Sequence, residues 1–397
     1  MLFRSIGKAV PFLKGLKQSG DFRLRHEYFD FFDKDRTAGT TDRSRSRFRI
    51  RLRWGFEKDF GDDWKMGFRL VSASAGTNGV ATDNTSTNVT LGNPGYFVYK
   101  NIYIDRAYAT YSPNGLKDYG AIKGATIGAG KFDNPFFRYS TPIVWDGDVT
   151  PEGLYEKTTV QIHSSEENKI NLHGTAGQFI LNENAGTDTD AQLYGYQGAL
   201  NWSTYNFGTD TPVEFTTALS FYHTNNYSRT VASNTASTSY LRTNSQNGDE
   251  FEVFDIYPEI QFKVGDKPLT LWYNFVTNAD DTDGDESVLG EQEDAWGFGF
   301  KYGKAKKKGQ WEIFYGYYDI DINAVMAAFS DSDFGGPGAS GYTNRQGHKF
   351  GLAYQMTDNM TFNWTGYVVE PKTPTASLAN AANESVFRSQ ADLVYKF

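Results

Sequence analysis

The sequence predicts an all-β fold, a 16-stranded antiparallel transmembrane β-barrel that occupies residues 20–397 as a single domain. Three observations predict it. Apolar and polar side chains alternate in segments of about ten residues, as in strands that have lipid on one face and water on the other. Short and long connections between these segments alternate along the chain. No run of about 18 apolar residues exists, so a helical membrane span is not predicted.

The composition favours one domain of this class. The chain has 397 residues, a formal net charge of −9, no cysteine, 25 Tyr and 31 Phe. No linker or shift in composition divides the sequence after residue 20, although the length alone would allow two or three domains. Paired cysteines, a phosphate-binding loop and a zinc-binding helix motif are all missing from the sequence. We therefore predict that the protein is not an enzyme and that it needs no cofactor.

The clearest strand carries an arginine row. Arginine occupies every second position, at Arg43, Arg45, Arg47, Arg49, Arg51 and Arg53. The positions between them include Phe48, Ile50, Leu52 and Trp54. A period of two places the two sets on opposite faces of one strand. In a transmembrane barrel the apolar face meets lipid and the arginines line a wet lumen, whereas a soluble sheet would bury the apolar face. The rest of the chain favours the barrel.

The same alternation continues to the C-terminus. Trp296, Phe298 and Phe300 share one face of a later segment, and Phe350 and Leu352 share one face of another. Sixteen strands are predicted near residues 20–32, 43–58, 64–75, 99–112, 120–132, 154–164, 169–182, 191–205, 213–225, 251–264, 269–278, 292–303, 310–323, 346–356, 360–370 and 385–397.

Seven short and eight long connections join these segments in strict alternation. An even-stranded antiparallel barrel has this pattern, with short turns at the periplasmic end and long loops at the extracellular end. Both termini are then predicted on the periplasmic side. Residues 1–19 form a separate basic amphipathic segment, with Leu2, Ile6 and Leu13 on one stripe. It is predicted to lie on the membrane surface, to plug the lumen from below or to be a remnant, and the pattern leaves these alternatives open.

The last strand ends in a recognisable pattern. Leu393, Tyr395 and Phe397 share one face, and Asp392 and Lys396 lie on the other. A terminal Phe with an aromatic residue two positions before it resembles the assembly signal of bacterial outer-membrane barrels. We therefore expect the barrel assembly machinery to bind Phe397.

Three stretches resemble the putative porin family of bacterial outer membranes. They are Gly20–Arg25 with the arginine row that follows, Ile104–Pro113, and Asn134–Phe136 together with Val144–Gly153. The resemblance implies an outer-membrane porin, a passive diffusion channel for small hydrophilic solutes and ions. It also implies contact with membrane lipid and lipopolysaccharide, and assembly as a homotrimer.

The resemblance further implies where the channel narrows. In general porins of sixteen strands the third long loop folds into the lumen, and in this chain that loop is Asp133–Gly153. Its carboxylates are expected to face the arginines and to create a transverse field that favours dipolar solutes. The predicted pore-lining residues are Arg23, Arg25, Arg47, Arg49, Arg51, Arg53, Lys65, Arg69, Asp146, Asp148 and Glu152.

Other functions stay open at this point. The arginine row could act as a ladder in an anion-selective channel for phosphate or carboxylates, or it could simply solvate the lumen wall. A structural or adhesive envelope protein with an occluded barrel is a further alternative. His163 and Ser164 faintly resemble an outer-membrane lipase, but neighbouring strand residues face opposite sides. Nucleic-acid binding is not predicted, because the aromatic residues lie on the face opposite the arginines.

The pair Asp105 and Arg106 breaks the alternation, so either one charge faces outward or a β-bulge redirects one side chain. Small residues nearby, together with the loop Gly76–Val98, suit a subunit interface better than a lipid face. These small residues are Ala107, Ala109, Gly124, Ala125, Gly128, Ala129 and Gly130.

An acidic loop follows the predicted strand at 269–278. Asp281, Asp283 and Asp285 have the spacing of a calcium loop, but Gly284 and Glu291 do not stand where an EF-hand requires them. A surface Ca²⁺ site and a solvated acidic loop are therefore both compatible with the pattern.

Overall fold

The computed structural model describes residues 14–32, 43–74, 84–117, 119–137, 141, 143–184, 189–208, 211–227, 250–280, 292–335, 343–372 and 385–397. This part of the chain contains seventeen β-strands: β1 Leu16–Phe32, β2 Arg43–Gly61, β3 Trp64–Ser72, β4 Val89–Thr90, β5 Ile102–Tyr111, β6 Ile122–Lys131, β7 Glu152–Ser164, β8 Asn168–Asn182, β9 Ala191–Thr204, β10 Val213–Asn225, β11 Glu252–Val264, β12 Lys267–Asn278, β13 Asp294–Gly303, β14 Trp311–Ile320, β15 Arg345–Gln355, β16 Met360–Pro371 and β17 Ser385–Lys396. No helix within these ranges is long and apolar enough to cross a membrane.

The strands form one closed antiparallel sheet. Each long strand pairs with its neighbours along the chain, and β1 pairs with both β2 and β17, which closes the cylinder. The predicted 16-stranded barrel is confirmed, with one addition. The two-residue strand β4 lies inside the predicted loop Gly76–Val98 and pairs with Arg49 and Ile50 of β2, while β3 pairs with β5. Strand ends differ by a few residues from the prediction. The first strand, for example, begins at Leu16.

The two faces of the wall differ as the alternation predicts. Outward side chains of β2 are largely exposed, with Phe48 at 53% and Trp54 at 41% exposure, whereas the inward Arg49 and Arg51 are at 8%. A continuous wall of large apolar groups with this exposure is typical of a surface that lipid covers, because each Å² of apolar surface exposed to water costs about 25 cal/mol. The outer wall therefore suits a bilayer.

The inside of the barrel is filled at the end that carries the long connections. Inward aromatic residues of the strands, such as Phe29, Phe179 and Tyr222, form one apolar cluster with Tyr227 and Phe251, which flank β10 and β11, and with residues of two further connections. Those connections are residues 132–151 between β6 and β7, here called the third loop, and residues 321–344 between β14 and β15, here called the seventh loop. The third loop ends at Gly153, where the backbone of β7 passes very close to that of β8. Glycine is required there, because its φ is 146° and a Cβ atom would lie 2.1 Å from the carbonyl oxygen of Gln178.

Candidate functional site

The arginine row is neutralised first by one carboxylate on the neighbouring strand. Glu27 of β1 is fully buried and lies opposite Arg47 of β2 and Gln390 of β17. Its carboxylate accepts hydrogen bonds from Arg47, from Nη2 of Arg388 at 2.6 Å and from Nε2 of Gln390 at 3.0 Å. Nη1 of Arg49 lies 3.6 Å away. Closure of the barrel thus brings residues from both ends of the chain around one buried charge.

Two aspartates neutralise further arginines on the inner wall, Asp21 at the end of the row nearer the short turns and Asp392 at Arg25 of β1. Asp21 of β1 accepts hydrogen bonds from Arg51 at 2.7 Å and from Nε of Arg53 at 2.6 Å. Asp392 of β17 binds Arg25 through two parallel hydrogen bonds of 2.7 and 2.8 Å. Such bidentate pairs are among the stronger polar contacts in proteins. Carboxylates from adjacent strands therefore offset the repulsion between neighbouring guanidinium groups.

The third loop lies against the inner wall on the opposite side. The ring of Phe136 packs on Phe179 and Tyr222, with centroid separations of 5.8 and 5.2 Å. The backbone N–H of Phe137 donates to Oε1 of Gln197 at 2.6 Å, and the hydroxyl of Thr141 donates to Asn274 at 3.0 Å. These contacts fix the first part of the loop to β8, β9, β10 and β12.

The end of the third loop reaches the arginine row. Oδ1 of Asp148 lies 3.6 Å from Nη1 of Arg53 and 4.0 Å from Nη1 of Arg51. Its other oxygen accepts hydrogen bonds from the backbone and hydroxyl of Thr87. Burial alone would raise the pKa of Asp148, but Arg51, Arg53 and Arg23 lower it below its usual range. Asp148 is therefore an anion that the arginines hold.

Asp146 has a different environment. Its carboxylate accepts hydrogen bonds from the backbone N–H of Asp148 at 2.7 Å and of Ser332 at 3.1 Å. Burial raises its pKa well above the usual range, and Asp331 and Asp148 raise it further. The hydrogen bond from Ser332 shows that Asp146 contacts the seventh loop, whereas Asp148 contacts the arginine row.

Apart from Asp146 and Asp148, the predicted pore-lining residues fall into three groups. Arg23, Arg25, Arg49 and Arg51 are buried at 4–8% exposure beneath loop residues. Arg47, Arg53, Lys65 and Arg69 face inward and are partly exposed. Glu152 lies on the outward face beside Leu154 and pairs with Lys131 at 2.7 Å. The candidate calcium ligands Asp281, Asp283 and Asp285 lie outside the described residues.

A β-bulge explains the adjacent charges of β5. The register shifts between Arg69 and Leu70, so that Arg69 lies opposite Arg106 and Asp105 becomes the extra residue. Both charges consequently face inward. Asp105 accepts a hydrogen bond from Arg69, and Nη2 of Arg106 lies 2.9 Å from Oδ1 of Asp133.

Sequence reasoning missed several residues of this site. Arg106 extends the basic wall, and Glu27, Arg388 and Asp333 neutralise or complete the arginine cluster. The inward parity of Arg388 and Glu27 could have been read from the alternation. The position of Asp333 could not, because it lies in a long connection without a repeating pattern.

Comparison with known proteins identifies the family. The model of a family described as "Putative porin" matches residues 34–254 and 249–370, which is most of the chain. The chain belongs to the putative porin family. The porin is therefore a channel protein of the bacterial outer membrane, in a family of channels and not of enzymes.

Solved structures agree with this fold. The porin is similar to the high-pH structure of Pseudomonas putida OprB, with 12% sequence identity, a TM-score of 0.54, and coverage of 99% of this chain and 97% of that chain. It is also similar to an anion-selective porin from Comamonas acidovorans, with 11% identity, a TM-score of 0.50, and coverage of 96% and 99%. No curated protein gives a significant match.

Proposed function

We propose that this porin is a passive diffusion channel for small hydrophilic solutes, with a charged constriction inside the barrel. The basic side of the constriction is Arg53, Arg69 and Arg106, and the acidic side is Asp148 and Asp133 of the third loop. The observation that carries the proposal is the approach of Asp148 to Arg53 at 3.6 Å. This contact joins the loop on one wall of the lumen to the arginine row on the other.

Exposure supports this choice of residues. The side chains of Arg53, Arg69 and Arg106 retain 18–21% exposure, and that of Asp133 retains 46%. A pair of unit charges about 4 Å apart interacts by about 1 kcal/mol in water and by about 4 kcal/mol at an effective dielectric constant of about 20. Charges at such a boundary orient water and act on each ion that passes. Arg23, Arg25, Arg49 and Arg51 are too buried for direct contact with solute.

Replacement of Arg53 by alanine tests the proposal. We expect the cation-to-anion permeability ratio, measured from reversal potentials in planar bilayers, to rise by up to about fivefold, which corresponds to about 1 kcal/mol of lost attraction for anions. Arg45→Ala is the matched control, because Arg45 is exposed near the long-connection end of the same strand. An unchanged ratio in Arg53→Ala would contradict a role for Arg53 in the constriction.

The charges along the basic wall favour anion selectivity as a second candidate. Arg53, Lys65, Arg69 and Arg106 provide four partly exposed cations on one wall, against Asp133 and Asp148 from the third loop. A channel of this kind would pass phosphate or carboxylates better than cations of similar size. The wild-type reversal potential separates the two candidates, since near-equal permeability or a preference for cations removes the anion-selective one.

The outer surface supports three proposed partners. Its apolar wall suits membrane lipid and, in the outer leaflet, lipopolysaccharide. Phe397 suits recognition by the barrel assembly machinery. Its backbone exchanges two hydrogen bonds with Gly20, of 2.9 and 3.1 Å, and its ring lies where a Cβ atom of Gly20 would clash. The C-terminal residue therefore lies at the seam that closes the barrel.

The third proposed partner is a second and third copy of this chain. Ala107, Ala109 and Ala129 face outward on β5 and β6, where the small side chains let another wall approach closely. The connection before β5 presents the rings of Tyr96 and Phe97 with full exposure, which is typical of a surface that another protein covers.

Ala129→Trp tests this interface. A bulky ring at the centre of a close contact should convert a trimer into monomers, as measured by light scattering in mild detergent, because overpacking costs about 1–3 kcal/mol at each interface. Phe298→Trp, an outward position on β13, serves as a control that should leave the assembly unchanged. A trimer that persists in Ala129→Trp would argue against this face.

A further inference from the structure

A second connection enters the barrel besides the third loop. Residues 323–335 of the seventh loop, here called the inner segment, were predicted as part of a long extracellular loop. Instead, Ala324, Val325 and Met326 are 0–3% exposed within the apolar cluster, and Ala327 is fully buried. Phe334 is fully buried and packs edge-on against Tyr318 of β14, with ring centroids 5.3 Å apart. The inner segment therefore has the burial of a structural element.

The inner segment is attached to the third loop. The backbone N–H of Asp146 donates to the carbonyl oxygen of Phe329 at 2.6 Å, and the carboxylate of Asp146 accepts from the backbone N–H of Ser332 at 3.1 Å. The ring of Trp145 stacks on that of Phe329, with centroids 5.3 Å apart and planes at 22°. Three contacts thus join the two loops within a few residues.

The inner segment is also attached to the barrel wall beside the arginine row. Asp333 pairs with Nη1 of Arg25 at 3.1 Å and with Nη2 of Arg388 at 2.6 Å. Nη1 of Arg388 donates to the carbonyl oxygens of Ser332, Asp333 and Gly335 at 2.8–3.2 Å. Lys349 of β15 pairs with Asp331 at 3.0 Å.

A third attachment comes from the connection that carries β4. Nδ2 of Asn84 donates to the carbonyl oxygen of Ala328 at 3.0 Å, and the hydroxyl of Ser332 donates to the carbonyl oxygen of Thr85 at 3.1 Å. The inner segment consequently bridges the wall at β1 and β17, the third loop and the second long connection. Through Trp145, which stacks on Phe329 and also packs on Tyr222 of β10 with ring centroids 5.6 Å apart, these contacts connect the wall at β1 and β17 with the wall opposite. The inner segment therefore extends across part of the cross-section of the lumen.

We propose that the inner segment is a second constriction element that sets the size of the opening, and that Asp333 is the positioning residue that holds it. The inference rests on the proposed channel function. Arg25 and Arg388 then serve to fix the inner segment and do not meet solute, which agrees with their burial at 3–4% exposure. Asp333 is suited to this role, because one carboxylate neutralises two buried guanidinium groups from opposite ends of the chain.

Asp333→Asn tests the proposal, with uptake of a neutral disaccharide into liposomes as the main readout. Loss of the carboxylate should release the inner segment and raise the uptake rate and the single-channel conductance in 1 M salt by about twofold or more. A purely electrostatic role for Asp333 would shift the reversal potential without changing neutral uptake, and that result would overturn the proposal. Asp358→Asn, in an exposed turn between β15 and β16, is the control and should change neither readout.

A second variant covers the case in which Asp333→Asn does not fold. Replacement of residues 324–334 by three glycines removes the inner segment and leaves Glu27 to neutralise Arg388. Folding is checked by the heat-dependent shift of the barrel on a denaturing gel. A folded deletion variant with wild-type uptake of the disaccharide would overturn the proposal, and a faster uptake would support it.

The wild-type protein separates failure of this proposal from failure of the channel function. If the wild-type protein conducts and both variants match it, the inner segment does not set the opening although the channel function stands. If the wild-type protein does not conduct and the variants do, the inner segment closes the barrel completely. That result would support the role of the inner segment in setting the opening and would contradict the proposal that the wild-type protein is an open diffusion channel.

Discussion

Glu27→Gln is expected to lower the free energy of unfolding by about 3–5 kcal/mol, the usual result when one partner of a buried ion pair is removed. Glu27 is fully buried and neutralises Arg47, Arg49 and Arg388 within 4 Å. Glutamine keeps the shape but removes the charge, and its amide N–H groups cannot accept the hydrogen bonds that the arginines donate. The measurement is urea unfolding of the barrel in lipid vesicles.

The matched control is Glu152→Gln. Its side chain is 61% exposed and makes a single pair with Lys131 on the outward face. Exposed pairs contribute about 0–1 kcal/mol, so the control should unfold close to the wild-type urea concentration. Equal stability losses in the two variants would mean that the Glu27 cluster does not hold β1, β2 and β17 together.

Phe136→Ala is expected to detach the first part of the third loop from the wall. Truncation of a buried Phe costs about 3–5 kcal/mol, and Phe136 contacts Phe179, Tyr222 and Trp145 through its ring. The loss should appear as local opening, because the ladder hydrogen bonds of the strands do not involve this ring. Hydrogen exchange of the Phe137 amide, which donates to Gln197, should therefore quicken by about 10²–10⁴-fold.

Phe137→Ala serves as the neighbouring control. This residue is 42% exposed, against 4% for Phe136, so its truncation removes less buried area and should quicken exchange in the loop much less than Phe136→Ala does. Single-channel recordings provide a second readout, since a detached third loop should add current fluctuations in Phe136→Ala alone. Slow exchange at the amide of position 137 in both variants would show that the ring of Phe136 does not hold the loop.

The alternation of side chains predicted the barrel and the inward face of the arginine row, because the orientation of a strand residue depends on its parity. The resemblance to general porins predicted that Asp146 and Asp148 would both face the arginines from Arg47 to Arg53; Asp148 approaches Arg51 and Arg53, whereas Asp146 contacts the seventh loop. Parity failed at Asp105 and Arg106, where a bulge places two successive residues on one side. The sequence signal for that bulge was the pair of adjacent charges itself. That signal left open whether one charge faces outward or a bulge redirects one side chain.

What the sequence determined by itself is the wall: strand number, closure and the division between an apolar outer face and a charged inner face. The alternation with a period of two is a local property of each strand, so it can be read from the sequence without knowing which strands pair with one another. Only the tertiary structure decided which arginines are covered and by what. Arg25 pairs with Asp392 and Arg388 with Glu27 across more than 360 positions of chain, and the inner segment that covers them has no repeating pattern. Contacts of that range depend on barrel closure and on how the long loops pack inside it.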